Sequence, residues 1–271
     1  MAIRVCVAGV TGWTGSEVAR FILSSEEFEL TGAIARRSVG RDVGELLGLS
    51  TTGVVVARRL PEALARPADV LVDYTSPDSV KQRTLDSLTH GVRVVIGTSG
   101  LTASDYLEID RSAKERRLGV FAAGNFSITA ALAKHFALMA AKHLPSWEVI
   151  DYAAAEKPDA PSGTARELAD ALGEMASNKL AIPVEQTQGE RDARGASIAG
   201  TQVHSVRLPG YVLAFETLFG LPNERLTIRH DAGPGAAPYV NGTLVAVRKV
   251  MTTVGLVRGL DRLLFNPQSA S

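Results

Sequence analysis

Residues 3–8 (IRVCVA) form a short apolar, β-branched run that stops at Gly9. A run of this kind bounded by a turn residue predicts a buried strand. From Thr14 the spacing becomes helical, with Val18, Phe21 and Ile22 on one face. Residues 28–35 (FELTGAIA), 69–74 (DVLVDY), 92–96 (VRVVI) and 118–122 (LGVFA) predict further strands. The stretches 78–90 and 102–117 between them predict helices. Apolar strands alternating with helices mark a parallel sheet covered on both faces.

The pattern changes after residues 123–127 (AGNFS). An Ala- and Leu-rich helix is predicted over 128–143, a strand over 147–154 and a helix over 165–176. Residues 184–198 (VEQTQGERDARGASI) are polar and glycine-containing, the best candidate for a mobile loop. From Thr201 to Asp231 extended segments alternate with turns at Leu208-Pro209-Gly210 and Gly220-Leu221-Pro222-Asn223, which predicts antiparallel sheet. Residues 242–254 are helical again. The expected fold is therefore α/β: an N-terminal Rossmann-type, doubly wound parallel sheet, and a C-terminal α+β domain built on a mostly antiparallel sheet. The expected boundaries are 1–125, joined by a C-terminal helix at about 241–271, and 126–240.

Composition narrows the function. With 271 residues, 45% of them apolar, the chain buries a full core. Lys+Arg and Asp+Glu each total 29, which argues against a generic nucleic-acid or anionic-membrane partner. Cys6 is the single cysteine, so an internal disulfide or cysteine-rich zinc site is excluded. The N-terminus lacks the apolar core of a signal peptide, and no stretch approaches the ~20 apolar residues of a membrane helix. The expectation is a soluble cytoplasmic protein. The five histidines (90, 135, 143, 204 and 230) show no metal-ligand spacing, so no metal site is expected.

Gly9-Val10-Thr11-Gly12-Trp13-Thr14-Gly15 follows the first strand and opens a helix. Gly9 permits a tight turn, Gly12 lets a pyrophosphate approach, and Gly15 lets helix and sheet pack closely. The free amides of the helix start then face the phosphates. NAD sites usually carry an acid at the end of the second strand. Here Arg36, Arg37 and Ser38 stand there, two cations and a hydroxyl that suit a 2′-phosphate. NADPH is the expected cofactor, with NADH as the alternative.

Residues 157–165 (KPDAPSGTA) hold the other dense cluster. Pro158 and Pro161 stiffen the loop. Thr164-Ala165-Arg166-Glu167 fits a capping box, with Thr164 as the cap. Ser162, Gly163 and Thr164 would then form an anion cradle suited to a carboxylate, with Lys157 beside it to neutralise charge or donate a proton.

These motifs resemble those of the dihydrodipicolinate reductase family of lysine biosynthesis. The resemblance runs over nearly the whole chain. It is carried by Gly9–Gly15, DYTSP (73–77), GTSG (97–100), AGNFS (123–127), KPDAPSGTA (157–165), HSVR (204–207) and ERLTIRHDA (224–232). It implies an NAD(P)H-dependent reduction of a cyclic unsaturated dicarboxylate. It also implies nicotinamide and ribose contacts from Tyr74, Thr75, Gly97, Thr98, Ser99, Asn125 and Phe126. Lys157 becomes the essential substrate contact and proton donor. Ser162, Gly163 and Thr164 become the carboxylate cradle, and the second domain becomes the substrate-binding and oligomerising one. The chain would be a homo-oligomer, tetramer or dimer.

The chain departs from the family at the upstream half of that motif, E-x-H-H-x-x-K. Aligned on Lys157, the histidine pair falls on Ala153 and Ala154, and the leading acid on Asp151. A further family histidine falls on Val212, and the arginine after H-x-A is absent from HDAGPGAAPY. Three readings remain. In the first, the family reaction persists, with the proton from Lys157, water, His204 or Glu156; His204 is the added substrate-binding candidate. In the second, a divergent reductase takes a more apolar carboxylate, with the alanines and Tyr152 making room. In the third, the chain is an NADPH-binding sensor without chemistry. The intact cradle, Lys157 and cofactor loops place the first reading ahead.

Overall fold

The computed structural model describes residues 1–265, so the last part of the helix expected at 241–271 lies outside the described residues. In chain order the first half runs β1 (Ile3–Ala8), α1 (Trp13–Leu23), β2 (Phe28–Ile34), α2 (Val43–Leu46), β3 (Val56–Ala57), α3 (Leu60–Ala63), β4 (Val70–Asp73), α4 (Pro77–Thr89), β5 (Arg93–Ile96), α5 (Ala103–Glu115) and β6 (Gly119–Ala122). It continues with α6 (Ile128–Ala141), β7 (Trp147–Ala153), α7 (Gly163–Met175), β8 (Ala196–Ile198), β9 (Thr201–Arg207), β10 (Leu213–Leu221) and β11 (Glu224–Ala232), then α8 (Ala237–Val250), β12 (Gly255–Arg258) and α9 (Leu260–Phe265). Two compact units result, Met1–Ile128 with the chain from Gly235 onward, and Thr129–Pro234.

The first unit is a seven-stranded sheet in the order β12-β6-β5-β4-β1-β2-β3, with every pair parallel. The strand order reverses between β1 and β4, the switch point at which such sheets bind ligands beyond their strand ends. Val5–Ala8, Val70–Val72 and Val94–Ile96 are shielded from solvent, as their unbroken apolar runs require. Burial pushes the Cys6 thiol up to about 12, which leaves it an inert core hydrophobe. On α1, Val18, Ala19 and Ile22 are buried, but Phe21 is 40% exposed, contrary to the expected face. The region expected to be helix beyond 250 instead gives β12, which adds an edge strand beside β6 through Gly255–Arg258.

The second unit is a five-stranded sheet in the order β11-β10-β7-β9-β8. It is mostly antiparallel, but β7 and β9 pair in parallel, with Asp151 opposite Ser205 and Ala153 opposite Arg207. One face is packed against α6 and α7 through Trp147, Val149, Phe215, Phe219, Leu168 and Leu172. The strict alternation along β7, with Trp147, Val149, Asp151 and Ala153 buried, sends Glu148, Ile150 and Tyr152 to the other face. Residues 184–198 hold two short 3₁₀ turns and β8.

Candidate functional site

The glycine loop has the crowding its spacing predicts. Gly9 has φ +86°, and a Cβ there would stand 2.3 Å from the Tyr74 carbonyl oxygen. A Cβ on Gly15 would stand 2.2 Å from the Gly9 carbonyl oxygen, so α1 packs against the turn only because both residues are glycine. Gly12 is the N-cap of α1 and no side chain caps that helix. Its first-turn amides therefore lack intrahelical acceptors and suit a pyrophosphate. Trp13 is 57% exposed and touches Tyr239 edge-on at 5.6 Å, while Thr11 lies exposed at the rim of the loop.

Past the end of β2, Arg36 and Arg37 are exposed and neither has an ion-pair partner among the described residues. Ser38 follows at φ 64°. The uncapped helix start, the glycine crowding and the two unpaired guanidiniums fit a phosphorylated dinucleotide.

The loops after β4 and β5 are organised by a residue the motifs did not single out. Asp73 is fully buried and accepts from Thr75 N (2.9 Å), Thr75 Oγ1 (2.6 Å), Thr98 Oγ1 (3.1 Å) and Arg83 Nη1 (2.6 Å). Thr98 Oγ1 also accepts from Thr75 N at 2.9 Å, tying one loop to the other. The hydroxyls of Thr75 and Thr98 are thus committed to Asp73, and so is the Thr75 amide. Gly97 is where the Tyr74 ring packs: a Cβ would lie 2.1 Å from it. Tyr74 donates to Thr243 Oγ1 at 2.6 Å, and Thr243 donates to the Tyr239 carbonyl at 2.7 Å. Burial pushes the Tyr74 phenol well above its ordinary range. Phe126 is buried edge-on against Tyr74 and Phe121, and Asn125 Oδ1 accepts from Ser127 N at 2.8 Å. Tyr74 and Phe126 are therefore core side chains, and Ser99 is the exposed hydroxyl of this cluster.

In the second unit the loop between β7 and α7 carries Lys157. Its ammonium pairs with Asp159 Oδ1 at 2.7 Å, and its amide donates to the Ala154 carbonyl at 3.1 Å. The hydrogen bond from Lys157 holds the Asp159 carboxyl below its usual range, so this carboxylate stays ionised at neutral pH and its pairing is lost as falling pH protonates it. The helix starts two residues earlier than the capping box implied: α7 begins at Gly163, and the cap is Ser162, not Thr164. Ser162 Oγ accepts from Ala165 N at 3.3 Å and donates to Asp151 Oδ1 at 2.6 Å. Its amide donates to Asp151 Oδ2 at 2.8 Å. The Ser162 hydroxyl is thereby consumed in fixing the helix start, which leaves Gly163 and Thr164 as the remaining candidates for the cradle. Nothing lies within 4 Å of a Cβ built on Gly163, so the helix start opens on free space.

Two expected neighbours of the cradle are elsewhere. His204 pairs in register with Ile150, on the sheet face away from α7, and its Nε2 meets Glu148 Oε2 at 2.8 Å. Glu148 also binds Arg194, so His204 belongs to a surface triad rather than to the cradle. Tyr152 shares that far face. Its ring stacks on Tyr211 at 5.0 Å and under Arg229 at 4.7 Å, and its hydroxyl donates to Glu216 at 2.8 Å. Both residues leave the site by the alternation of strand side chains, which motif spacing alone does not register. Ala153 is fully buried on the α7 face, and Ala154 is half-buried at the strand end. Glu156 is exposed.

A dinucleotide-type parallel sheet together with a second, sheet-based unit whose Lys157 loop leads into a helix start defines an NAD(P)H-type oxidoreductase of two units. The family model described as "Dihydrodipicolinate reductase, N-terminus" matches residues 3–126, and "Dihydrodipicolinate reductase, C-terminus" matches residues 125–264. The 4-hydroxy-tetrahydrodipicolinate reductase of Desulfitobacterium hafniense is 39% identical over 264 residues, covering 97% of this chain and 98% of the relative. That of Geobacillus kaustophilus is 36% identical over 265 residues, covering 97% and 100%. Among solved structures, a dipicolinate-bound dihydrodipicolinate reductase from Paenisporosarcina sp. TG-14 superposes with TM-score 0.83 at 33% identity, over 97% of this chain and 99% of that one. An amine dehydrogenase from Mycobacterium smegmatis shares the fold alone, with TM-score 0.67 at 20% identity over 99% and 98%. The chain belongs to the dihydrodipicolinate reductase family, whose reductases use NAD(P)H. Among the described residues no helix is long and apolar enough to cross a membrane.

Proposed function

We propose that this chain is an NADPH-preferring reductase of a cyclic unsaturated dicarboxylate, the family reaction of the lysine pathway. The observation that carries this reading is the local construction of the Lys157 loop: a charged lysine and an open helix start fixed by the buried Asp151. A carboxylate is the ligand this arrangement suits. The relative from Paenisporosarcina was solved with dipicolinate bound, an aromatic dicarboxylate of that class.

When bound, the reduced nicotinamide supplies a hydride. The chain's own residues supply the rest. The first-turn amides of Gly163 and Thr164 receive the carboxylate. The uncapped start of α1 receives the pyrophosphate, and the backbone of the Thr75 and Thr98 loops frames the nicotinamide ribose. Hydride addition leaves negative charge on the conjugated ring system, and Lys157 Nζ neutralises it by donating a proton. Asp159 keeps that ammonium oriented until substrate arrives.

NADPH preference rests on Arg36 and Arg37. Replacing both with glutamate is expected to raise the Michaelis constant for NADPH by about tenfold or more while changing that for NADH little. Equal effects on the two nucleotides in steady-state assays would refute the preference. A cytoplasmic homo-oligomer, tetramer or dimer, completes the reading, with light scattering of the purified chain as its test.

A second reading draws on Ala153, Ala154 and Val212: a related reductase acting on a less polar carboxylate. Tyr152 no longer supports it, being on the other sheet face. Restoring histidine separates the two readings. Ala154→His at the half-buried strand end is expected to fold normally. Ala153→His forces a ring into a fully buried position and is expected to cost about 1–3 kcal/mol, read by thermal unfolding. A large gain in dihydrodipicolinate reduction by Ala154→His would favour the second reading; unchanged turnover favours the first.

A further inference from the structure

We propose that Arg207 and Asp151 act as one clasp, a pair of positioning residues that sets Lys157 and the start of α7 for the carboxylate. The inference rests on the reading above and assigns roles to two residues that touch neither substrate nor cofactor in it.

The observations converge on a single guanidinium and a single carboxylate. Asp151 is fully buried, and Arg207 is 16% exposed. Arg207 Nη2 donates to Asp151 Oδ2 at 2.7 Å and to the Asp159 carbonyl at 2.6 Å. Arg207 Nη1 donates to the Val206 carbonyl at 2.9 Å, which fixes the fork on its own strand. Asp151 in turn holds both the amide and the hydroxyl of Ser162, and accepts from Ser205 Oγ at 3.3 Å. Asp151 therefore holds the C-terminal end of the Lys157 loop, where α7 begins. Arg207 grips the middle of the same loop at Asp159, the residue whose carboxylate orients Lys157. The parallel register of β7 and β9 makes this possible: Asp151 faces Ser205, and Arg207 stands two pairs further on, opposite Ala153.

A buried acid of this kind has two possible roles. It can simply stabilise a turn, or it can hold a binding geometry. The second role follows from what the clasp holds, since both of its endpoints are ligand-facing features, the lysine-bearing segment and the open helix start. Small displacements of such groups cost rate and affinity disproportionately.

The test measures dipicolinate inhibition and NADPH binding together, on the full chain, well below its unfolding temperature. Arg207→Met is expected to raise the inhibition constant of dipicolinate about tenfold or more while leaving NADPH affinity within about twofold. Arg207→Lys keeps the positive charge near Asp151 but is shorter and lacks the fork, so it is expected to restore only part of the lost affinity. The double variant Asp151→Asn/Arg207→Met is expected to be no worse than Arg207→Met alone, the signature of residues acting as one unit. Should Arg207→Met fail to fold, Asp151→Asn, which keeps the side chain's size, carries the test with the same expected loss. Unchanged dipicolinate inhibition in a folded variant, or equal loss of dipicolinate and NADPH binding, overturns the clasp and leaves the proposed function standing. Wild-type protein that ignores dipicolinate overturns both.

Discussion

Lys157→Ala is expected to lower turnover by about 10²–10⁴-fold and to leave NADPH affinity within about twofold. The magnitude is that of losing a positioned proton donor. In many family members a histidine pair precedes the lysine; here those positions are Ala153 and Ala154, neither of which can transfer a proton in place of Lys157. His204 cannot stand in, because its ring is held by Glu148 on the other sheet face. The residues proposed for the nucleotide belong to the first unit and Lys157 to the second. Fluorescence titration of NADPH with single-turnover kinetics checks both halves of the expectation. Turnover that survives unchanged would remove Lys157 from the chemistry.

The second large effect concerns Asp73→Ala. It is expected to destabilise the first unit by about 3–5 kcal/mol and to abolish measurable nucleotide binding. The buried carboxylate compensates Arg83, which is 17% exposed, and receives three further hydrogen bonds from the Thr75 and Thr98 loops. Removing it strands a cation and frees both loops. Asp73→Asn keeps the shape and part of the hydrogen bonding, so its loss is expected to be smaller. Chemical denaturation with a nucleotide titration reads both effects. A folded Asp73→Ala protein with normal NADPH affinity would show that the network is dispensable.

Local patterns carried much of the architecture. The strands β1, β4 and β5 follow from short apolar runs that end in turn residues, and the glycine loop follows from spacing plus context. The uses of Gly9 and Gly15 are those the spacing implied, with carbonyl oxygens standing where side chains would be. What stayed hidden depends on pairing between distant segments. The edge strand β12 is only four residues long and is defined by its partner β6. Two hydroxyls sit within two residues of the start of α7, and local sequence favours either as its cap. Asp151, far upstream, selects Ser162 by accepting its amide and hydroxyl.

The same limit governed the site residues. His204 and Tyr152 lie close in sequence to motif residues, yet strand alternation puts them on the wrong face. Arg207 closes HSVR, and its partner Asp151 was visible only as the acid that leads the lysine motif. Asp73 opens DYTSP, directly before the strand-end residues Tyr74 and Thr75. In each case the sequence displayed the residue, and the register decided what it touches.

The most direct test is NADPH oxidation by the purified chain, followed spectrophotometrically against freshly generated 4-hydroxy-tetrahydrodipicolinate. Saturable oxidation is expected, inhibited by dipicolinate and reduced at least about a hundredfold in Lys157→Ala. NADPH binding with no oxidation of this substrate would contradict the proposed reaction, whichever other cyclic carboxylate the chain went on to reduce.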